Sequence, residues 1–297
     1  MKGRSGRALW ICIVYCVLGM GLSGCVSAPE RNLPTARSLP DAGAGKNAAL
    51  RVQKGLQEAE AGRWEEALNY FSDALNYHDL TVLERAIILN NRGVMQQRMG
   101  IYDGAITDFS AAIKMRSDLP GSNMSSRALF NRGIMYYLLG EYQSAVNDLE
   151  QYSKSNKAQQ RSPYAVLWHY LAQERSGVSG RYELVSSCRR LWREEECERK
   201  SGEFAHLSWP GPLFALHLEQ LSAEEVVGRV PRGQTERQSK EYLCDIYFHL
   251  GEYYSIRGEQ GQARYWWQMA LETGMTHLSE YTGSQMGIQR NSLFTMF

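Results

Sequence analysis

One spacing pattern, repeated four times, constrains this chain more than any other feature. From Gly93 the chain reads Gly93, Gly100, Tyr102, Ala105, Phe109, Ala112. From Gly133 it reads Gly133, Gly140, Tyr142, Ala145, Leu149, Tyr152, and from Gly55 it reads Gly55, Gly62, Trp64, Ala67, Phe71, Ala74. The fourth copy reads Gly251, Gly258, Ala263, Trp267, Ala270. Two helices approach closely only where small residues face each other, as Gly93 and Ala105 would. Phe109, Phe71 and Trp267 then fill the space between one unit and the next. The second glycine of each copy, as in Met99-Gly100 or Leu139-Gly140, supplies the left-handed residue that ends a helix. No stretch alternates apolar and polar residues as a strand would.

This pattern resembles the tetratricopeptide repeat, an antiparallel helix pair of about 34 residues. The resemblance implies an all-α fold, a tetratricopeptide-repeat superhelix of antiparallel helix pairs. Successive copies begin at residues 55, 93 and 133, wider than 34 apart, so the connections are lengthened, including Leu119-Pro120-Gly121. A degenerate fourth unit is expected from Ser162-Pro163, a helix-capping residue followed by proline in the first turn. Trp168, Leu171 and Ala172 take its core slots, and its second helix is expected from Tyr182 to Glu196. Trp209-Pro210-Gly211-Pro212 breaks the pattern. Short helices at Leu213–Glu219 and Ala223–Val230 and a last repeat are expected after it.

The N-terminus carries a separate signal. Lys2, Arg4 and Arg7 precede the apolar stretch Ala8–Met20, the layout of a secretion signal. Leu22-Ser23-Gly24-Cys25 resembles the lipobox of bacterial lipoproteins, in which the thiol at the position of Cys25 is diacylated and the new amine is acylated after cleavage. Several acyl chains give stable anchoring, because each buried CH₂ contributes about 0.8 kcal/mol. Val26 stands where that family places its inner-membrane retention aspartate, so an outer-membrane address with the body facing the periplasm is implied. Val26–Asn47 holds Pro29, Pro34, Pro40, Gly43 and Gly45 and reads as a tether. The expected organisation is a signal peptide over 1–24, a lipidated tether over 25–47 and three repeats over 48–160. A degenerate repeat with connecting helices follows over 161–235, and a C-terminal repeat and tail over 236–297.

Charge and motifs exclude several function classes. Losing residues 1–24, with three cations and no carboxylate, takes the formal +1 to −2, and no basic run offers a footprint for nucleic acid. The six histidines are scattered, no phosphate loop or nucleophile elbow is present, and no cofactor or metal site is read. His169 beside Trp168 reads as a packed or rim histidine rather than a ligand. Glu194-Glu195-Glu196, with Arg189, Arg190 and Arg193, reads as a solvated helix laced with ion pairs rather than as catalytic carboxylates. The chain therefore reads as non-enzymatic. Cys188, Cys197 and Cys244 remain in the body in a compartment that permits disulfides. A Cys188–Cys197 bridge requires the helix to end before Cys197, because nine helical residues separate Cα atoms by about 13 Å. Unpaired buried thiols are the alternative.

Longer segments resemble a particular family. Asn131-Arg132-Gly133-Ile134 and Leu167-Trp168-His169-Tyr170-Leu171-Ala172-Gln173-Glu174 look like stretches of the NlpI-type tetratricopeptide lipoproteins. Trp209, Leu221-Ser222 and Tyr247-Phe248-His249-Leu250-Gly251-Glu252-Tyr253-Tyr254 follow in the same order. The similarity runs over roughly residues 85–275, with the lipobox in the same place. The segment Arg181–Leu207, with its two cysteines, is longer than in the family, and the inter-repeat loops differ. The resemblance implies an adaptor that holds peptidoglycan endopeptidases and a carboxyl-terminal processing protease together, and a homodimer. A second reading is an assembly lipoprotein for outer-membrane β-barrels or pilus secretins.

Stacked helix pairs present the first helix of each repeat on a concave wall. Asn91 and Asn131 both lie two residues before the repeat glycine. They either hydrogen-bond an extended peptide there or cap and bridge neighbouring helices; a full carboxylate clamp is not matched. Other groove candidates are Gln97, Arg98, Arg127 and Tyr137, with Asp245, His249 and Glu252 in the last repeat. Tyr136 and Tyr254 are expected in a packing slot. Trp266 and Trp267 cannot both point inward from one helix, so Trp266 is expected at an interface.

Overall fold

The structure is a computed structural model that describes residues 46–115, 124–155, 162–192, 207–231, 233 and 235–294. Among them are thirteen helices and no strand. In chain order these are α1 (Lys46–Glu60), α2 (Trp64–Leu75), α3 (Val82–Arg98), α4 (Tyr102–Lys114), α5 (Met124–Leu139) and α6 (Tyr142–Ser155). Then come α7 (Pro163–Ser176), α8 (Arg181–Leu191), α9 (Gly211–His217), α10 (Ala223–Val227), α11 (Glu236–Ile256), α12 (Gln260–Glu272) and α13 (Ser279–Phe294). The tightest pairs are α1 with α2, α3 with α4, α5 with α6 and α11 with α12, the four copies of the spacing pattern.

The repeat glycines sit where a side chain has no room. A Cβ on Gly55 would lie 2.8 Å from Phe71, on Gly93 2.7 Å from Phe109, on Gly133 2.9 Å from Leu149 and on Gly251 2.2 Å from Trp267. The large residue of each second helix thus rests on bare backbone of the first. Ala67, Ala105, Ala145 and Ala263 are fully buried beside it. The turn between the helices is equally regular. Gly100 has φ +77° and Gly140 φ +85°, a region that side chains disfavour. The next amide reaches back to close the helix, Ile101 N–H to the Gln96 carbonyl at 2.8 Å and Glu141 N–H to the Tyr136 carbonyl at 2.8 Å.

Helix starts follow local chemistry as well. Thr81 and Glu84 form a reciprocal capping box on α3, and Ser222 and Glu225 form one on α10. On α7 the Ser162 hydroxyl accepts from the Ala165 amide at 3.3 Å, with Pro163 in the first turn. Trp168, Leu171 and Ala172 of α7 are buried as expected. Its partner α8 ends at Leu191, earlier than the expected Glu196: Trp192 turns to an extended backbone and packs against Phe214 at 5.2 Å between ring centroids. The short helices are Gly211–His217 and Ala223–Val227, each displaced or shortened at its ends.

The region after the last repeat pair is not a mere tail. Helix α13 packs on α12, α11 and α5 and so returns to the middle of the stack. Gly283 and Gly287, one turn apart, make the seat. A Cβ on Gly283 would lie 2.6 Å from Phe248, and one on Gly287 2.7 Å from Trp267. Arg290 Nη1 donates to the Leu138 carbonyl at 2.8 Å, and Asn291 Nδ2 to the Gln260 carbonyl at 3.0 Å.

Candidate functional site

The concave wall of a helical-repeat stack is its usual place of contact, and the first helices α3, α5 and α7 form it here. Its residues meet the chain's own C-terminal third instead of an open groove. Gln97 Nε2 lies 3.5 Å from the Ser279 hydroxyl, and Arg98 donates to the His277 carbonyl while its guanidinium lies 4.9 Å from the Trp64 ring centroid. Burial holds the Arg98 pKa down to about 10. Asn91 and Asn131 are buried, and Asn131 Nδ2 donates to Asn90 Oδ1 at 2.9 Å. Bridging between helices, one of the two expected roles, is therefore what Asn131 does. Arg127 is half-buried on α5.

The other candidates lie in the interior, where α11 crosses α5 and α7. Tyr137 is fully buried, and its hydroxyl donates to Glu252 Oε2 at 2.5 Å. Burial, then the Glu252 charge, pushes the Tyr137 hydroxyl well above its usual range. Arg175 of α7 reaches the same oxygen through Nη2 at 2.6 Å and Nε at 3.0 Å, and donates to the Ser255 hydroxyl at 3.0 Å. Burial pulls the Arg175 pKa down, but Glu252 and the neighbouring tyrosines outweigh it and leave it raised. Asp245 Oδ2 accepts from the Tyr164 hydroxyl at 3.2 Å, and Trp209 Nε1 donates to that hydroxyl at 2.9 Å. His249 Nδ1 and His217 Nε2 are 3.0 Å apart.

Rings bind these polar groups into one layer. Tyr137 meets Trp168 at 5.2 Å, and Trp168 meets Phe248 at 5.1 Å between centroids. Tyr137 is the fully buried one of the pair, while Tyr136 and Tyr254 pack against the core from its edge. Tyr136 is half-buried, with the Arg132 guanidinium 5.5 Å from its ring centroid, and Tyr254 is also half-buried. The two tryptophans divide: Trp267 is buried against Gly251 and Gly287, while Trp266 is half-buried and stacks on Tyr247 at 5.7 Å. Tyr265 beside it is 55% exposed, so this aromatic edge faces outward.

The histidine pair makes stability depend on pH. Burial lowers the His249 pKa to about 3, and burial followed by the His249 charge lowers His217 well below its usual value. An unfolded histidine titrates near 6.5, so below that pH the unfolded chain binds more protons and the folded state loses ground. At pH 5 the cost is about 2 kcal/mol for His249, and His217 adds to it in the same direction. His277, lowered by burial against the pull of Glu241, adds in the same direction. Denaturant midpoints at pH 7.5 and pH 5 are expected to differ accordingly. The His217→Gln/His249→Gln variant is expected to lose most of that difference, whatever its absolute stability.

Several structural pairs escaped the sequence reading. Arg92 Nε and Nη2 grip both oxygens of Asp108 at 2.7 Å, and Arg132 grips Asp148 at 2.7 and 2.8 Å. Both pairs sit one residue before the glycine and one before the large residue, so the repeat alignment itself held the signal. Cys25, Cys197 and Glu194–Glu196 lie outside the described residues. Cys188 is buried near the end of α8, which stops before Cys197, the condition a bridge between them requires. Among the described residues no group of three histidine, cysteine or carboxylate side chains is placed to hold a metal ion. No helix there is long and apolar enough to cross a membrane.

The family model described as "Tetratricopeptide repeat" matches residues 84–158, which span α3 to α6. Among solved structures, the chain is similar to a tetratricopeptide repeat protein from Parabacteroides merdae ATCC 43184. That likeness has 15% sequence identity and a TM-score of 0.46, and covers 82% of this chain and 100% of that one.

Proposed function

We propose that this chain is a non-enzymatic adaptor of the cell envelope, held to the outer membrane by lipid on Cys25. Its helical body would bring peptidoglycan endopeptidases and a carboxyl-terminal processing protease together. The observation that carries the reading is the tetratricopeptide stack itself, since proteins with this fold generally serve as scaffolds for other proteins. The lipobox and the resemblance to NlpI-type lipoproteins add the place and the class of partner. Because α13 covers part of the concave wall, partners would use the surfaces it leaves open. These include the exposed turn residues Met99, Ile101 and Leu139, the exposed Leu50 of α1, and the aromatic edge at Tyr265 and Trp266. A symmetric homodimer would use one such patch on both copies.

Affinity capture of the full chain from an envelope extract, followed by mass spectrometry, tests the reading. Recovery of a processing protease or wall endopeptidases is the expected result. Recovery of barrel-assembly or pilus components alone would replace it with the assembly role. Metabolic labelling with palmitate is expected to mark the wild-type chain and not the Cys25→Ser variant.

A further inference from the structure

Helices α9 and α10 form an insert between α8 and the last repeat pair, and they rest chiefly on α11 and on each other. Helix α9 is buried along its whole length, with Leu213, Phe214, Ala215 and Leu216 fully inaccessible. Its last residue, His217, is buried too, yet it is polar. Its Nε2 lies 3.0 Å from Nδ1 of the equally buried His249 on α11. One proton fits between two such nitrogens, so one ring donates and the other accepts. With both rings fully protonated, two N–H groups would face each other at that distance. His249 Nε2 is also buried with no hydrogen-bond partner, so a cation there would leave a second donor unmet.

The surroundings do not relieve this. Arg257, just past α11, acts on His217 as a like charge, and its guanidinium lies 3.7 Å from the Tyr253 ring centroid. The carboxylate at hand, Glu219 two residues past α9, is ion-paired with Arg257. Tyr170 of α7 and Tyr253 of α11 place their ring centroids 5.0 and 6.3 Å from that of His217. Glu174 of α7 and Arg181 of α8 complete the charges around Tyr170, and Arg181 donates to the Leu218 carbonyl at 3.3 Å. Among the described residues no carboxylate accepts from either ring of the pair. Two further ties of the insert, Trp209 Nε1 to the Tyr164 hydroxyl and Phe214 against Trp192, are uncharged.

We propose that the contact between His217 and His249 is an acid-released latch that holds α9 and α10 on α11. At neutral pH the pair shares one proton and the insert stays down. The opened insert brings both rings to water, where each takes up a proton, so acidification favours opening by two protons per event. Opening bares Leu213, Phe214 and Leu216, while the repeat pairs α1 to α6 keep their own packing. The latch places the response to acid in one segment rather than in the body as a whole. It stands independently of the adaptor reading, because it requires neither the lipid anchor nor a partner.

Hydrogen exchange of the full chain in detergent, resolved by peptide at pH 7, 6 and 5, tests the latch. Protection over residues 207–231 is expected to be lower than over α3 to α6 at each pH. The opening equilibrium of that segment is expected to rise roughly 600-fold from pH 7 to pH 5, the gain for two histidines that titrate near 6.5 only when open. His249→Gln leaves one titrating ring and is expected to reduce the rise to about 25-fold. The double variant His217→Gln/His249→Gln is expected to show little rise. His277→Gln, which removes the ring that meets Glu241 away from the insert, is expected to keep the full response. An insert as well protected as α3 to α6, an opening equilibrium independent of pH, or a full rise in the double variant would overturn the latch. The comparison within the wild-type chain decides the matter even where a glutamine variant fails to fold.

Discussion

Replacing Arg175 with alanine is expected to lower the unfolding free energy by about 3–5 kcal/mol, a large share of what holds a domain of ordinary stability. The guanidinium is the cation that meets Glu252 on a fully buried carboxylate oxygen, and Tyr137 supplies one further donor to that same oxygen. Without Arg175, the carboxylate is left charged in the interior, or must take up a proton. Desolvation of both ions offsets much of the pair's own attraction, so its net worth is small even though breaking it is costly. The paired variant Arg175→Met with Glu252→Gln is therefore expected to recover most of the loss. Urea denaturation of the two variants decides it, and equal destabilisation by both would refute the electrostatic account.

The second large effect is expected at Trp267. Trp267→Ala should cost about 3–5 kcal/mol, the range for removing a buried tryptophan. Here one indole fills the space above two bare backbones, Gly251 of α11 and Gly287 of α13. Neither glycine has a side chain to move into the gap, so relaxation is limited and the upper part of the range is expected. Because the indole also seats α13, hydrogen exchange should rise most over residues 279–294. Phe109→Ala, at the equivalent slot of an inner repeat, opens a similar void but leaves α13 in place. Its exchange profile should change around α3 and α4 instead.

The contrast between what the chain spelled out and what it concealed has a physical basis. Gly93, Gly100, Ala105 and Phe109, with their equivalents, were legible because a close helix crossing tolerates few residue types at each slot. The same constraint recurs in every repeat. Ser162-Pro163 was legible because capping is local. The returning helix was not. Its seat depends on Gly283 and Gly287, two small residues one turn apart, which a sequence reader treats as helix-weakening unless a partner surface is known. The interior network was hidden for a related reason. Glu252, His249, Asp245 and Tyr137 look like groove residues on polarity alone. Only the long-range fold brings Arg175, His217 and Tyr164 to them, across sequence separations that no periodicity records. His169 reads as a packed or rim residue, and it is buried; the unpartnered Nε2 appears only in three dimensions.

A linear array of repeats ordinarily touches only its neighbours, so it can fray from either end one unit at a time. Helix α13 restricts that freedom from α3 onward, because it returns to α5 and because Gln97 and Ser279 meet although 182 positions separate them. The C-terminal end of the stack is thus tied to its middle, and losing α13 loosens α5, α11 and α12 together. Melting should accordingly be a single sharp event, and assembly should be slower than for an open array of equal length, since distant segments must find each other before the structure holds.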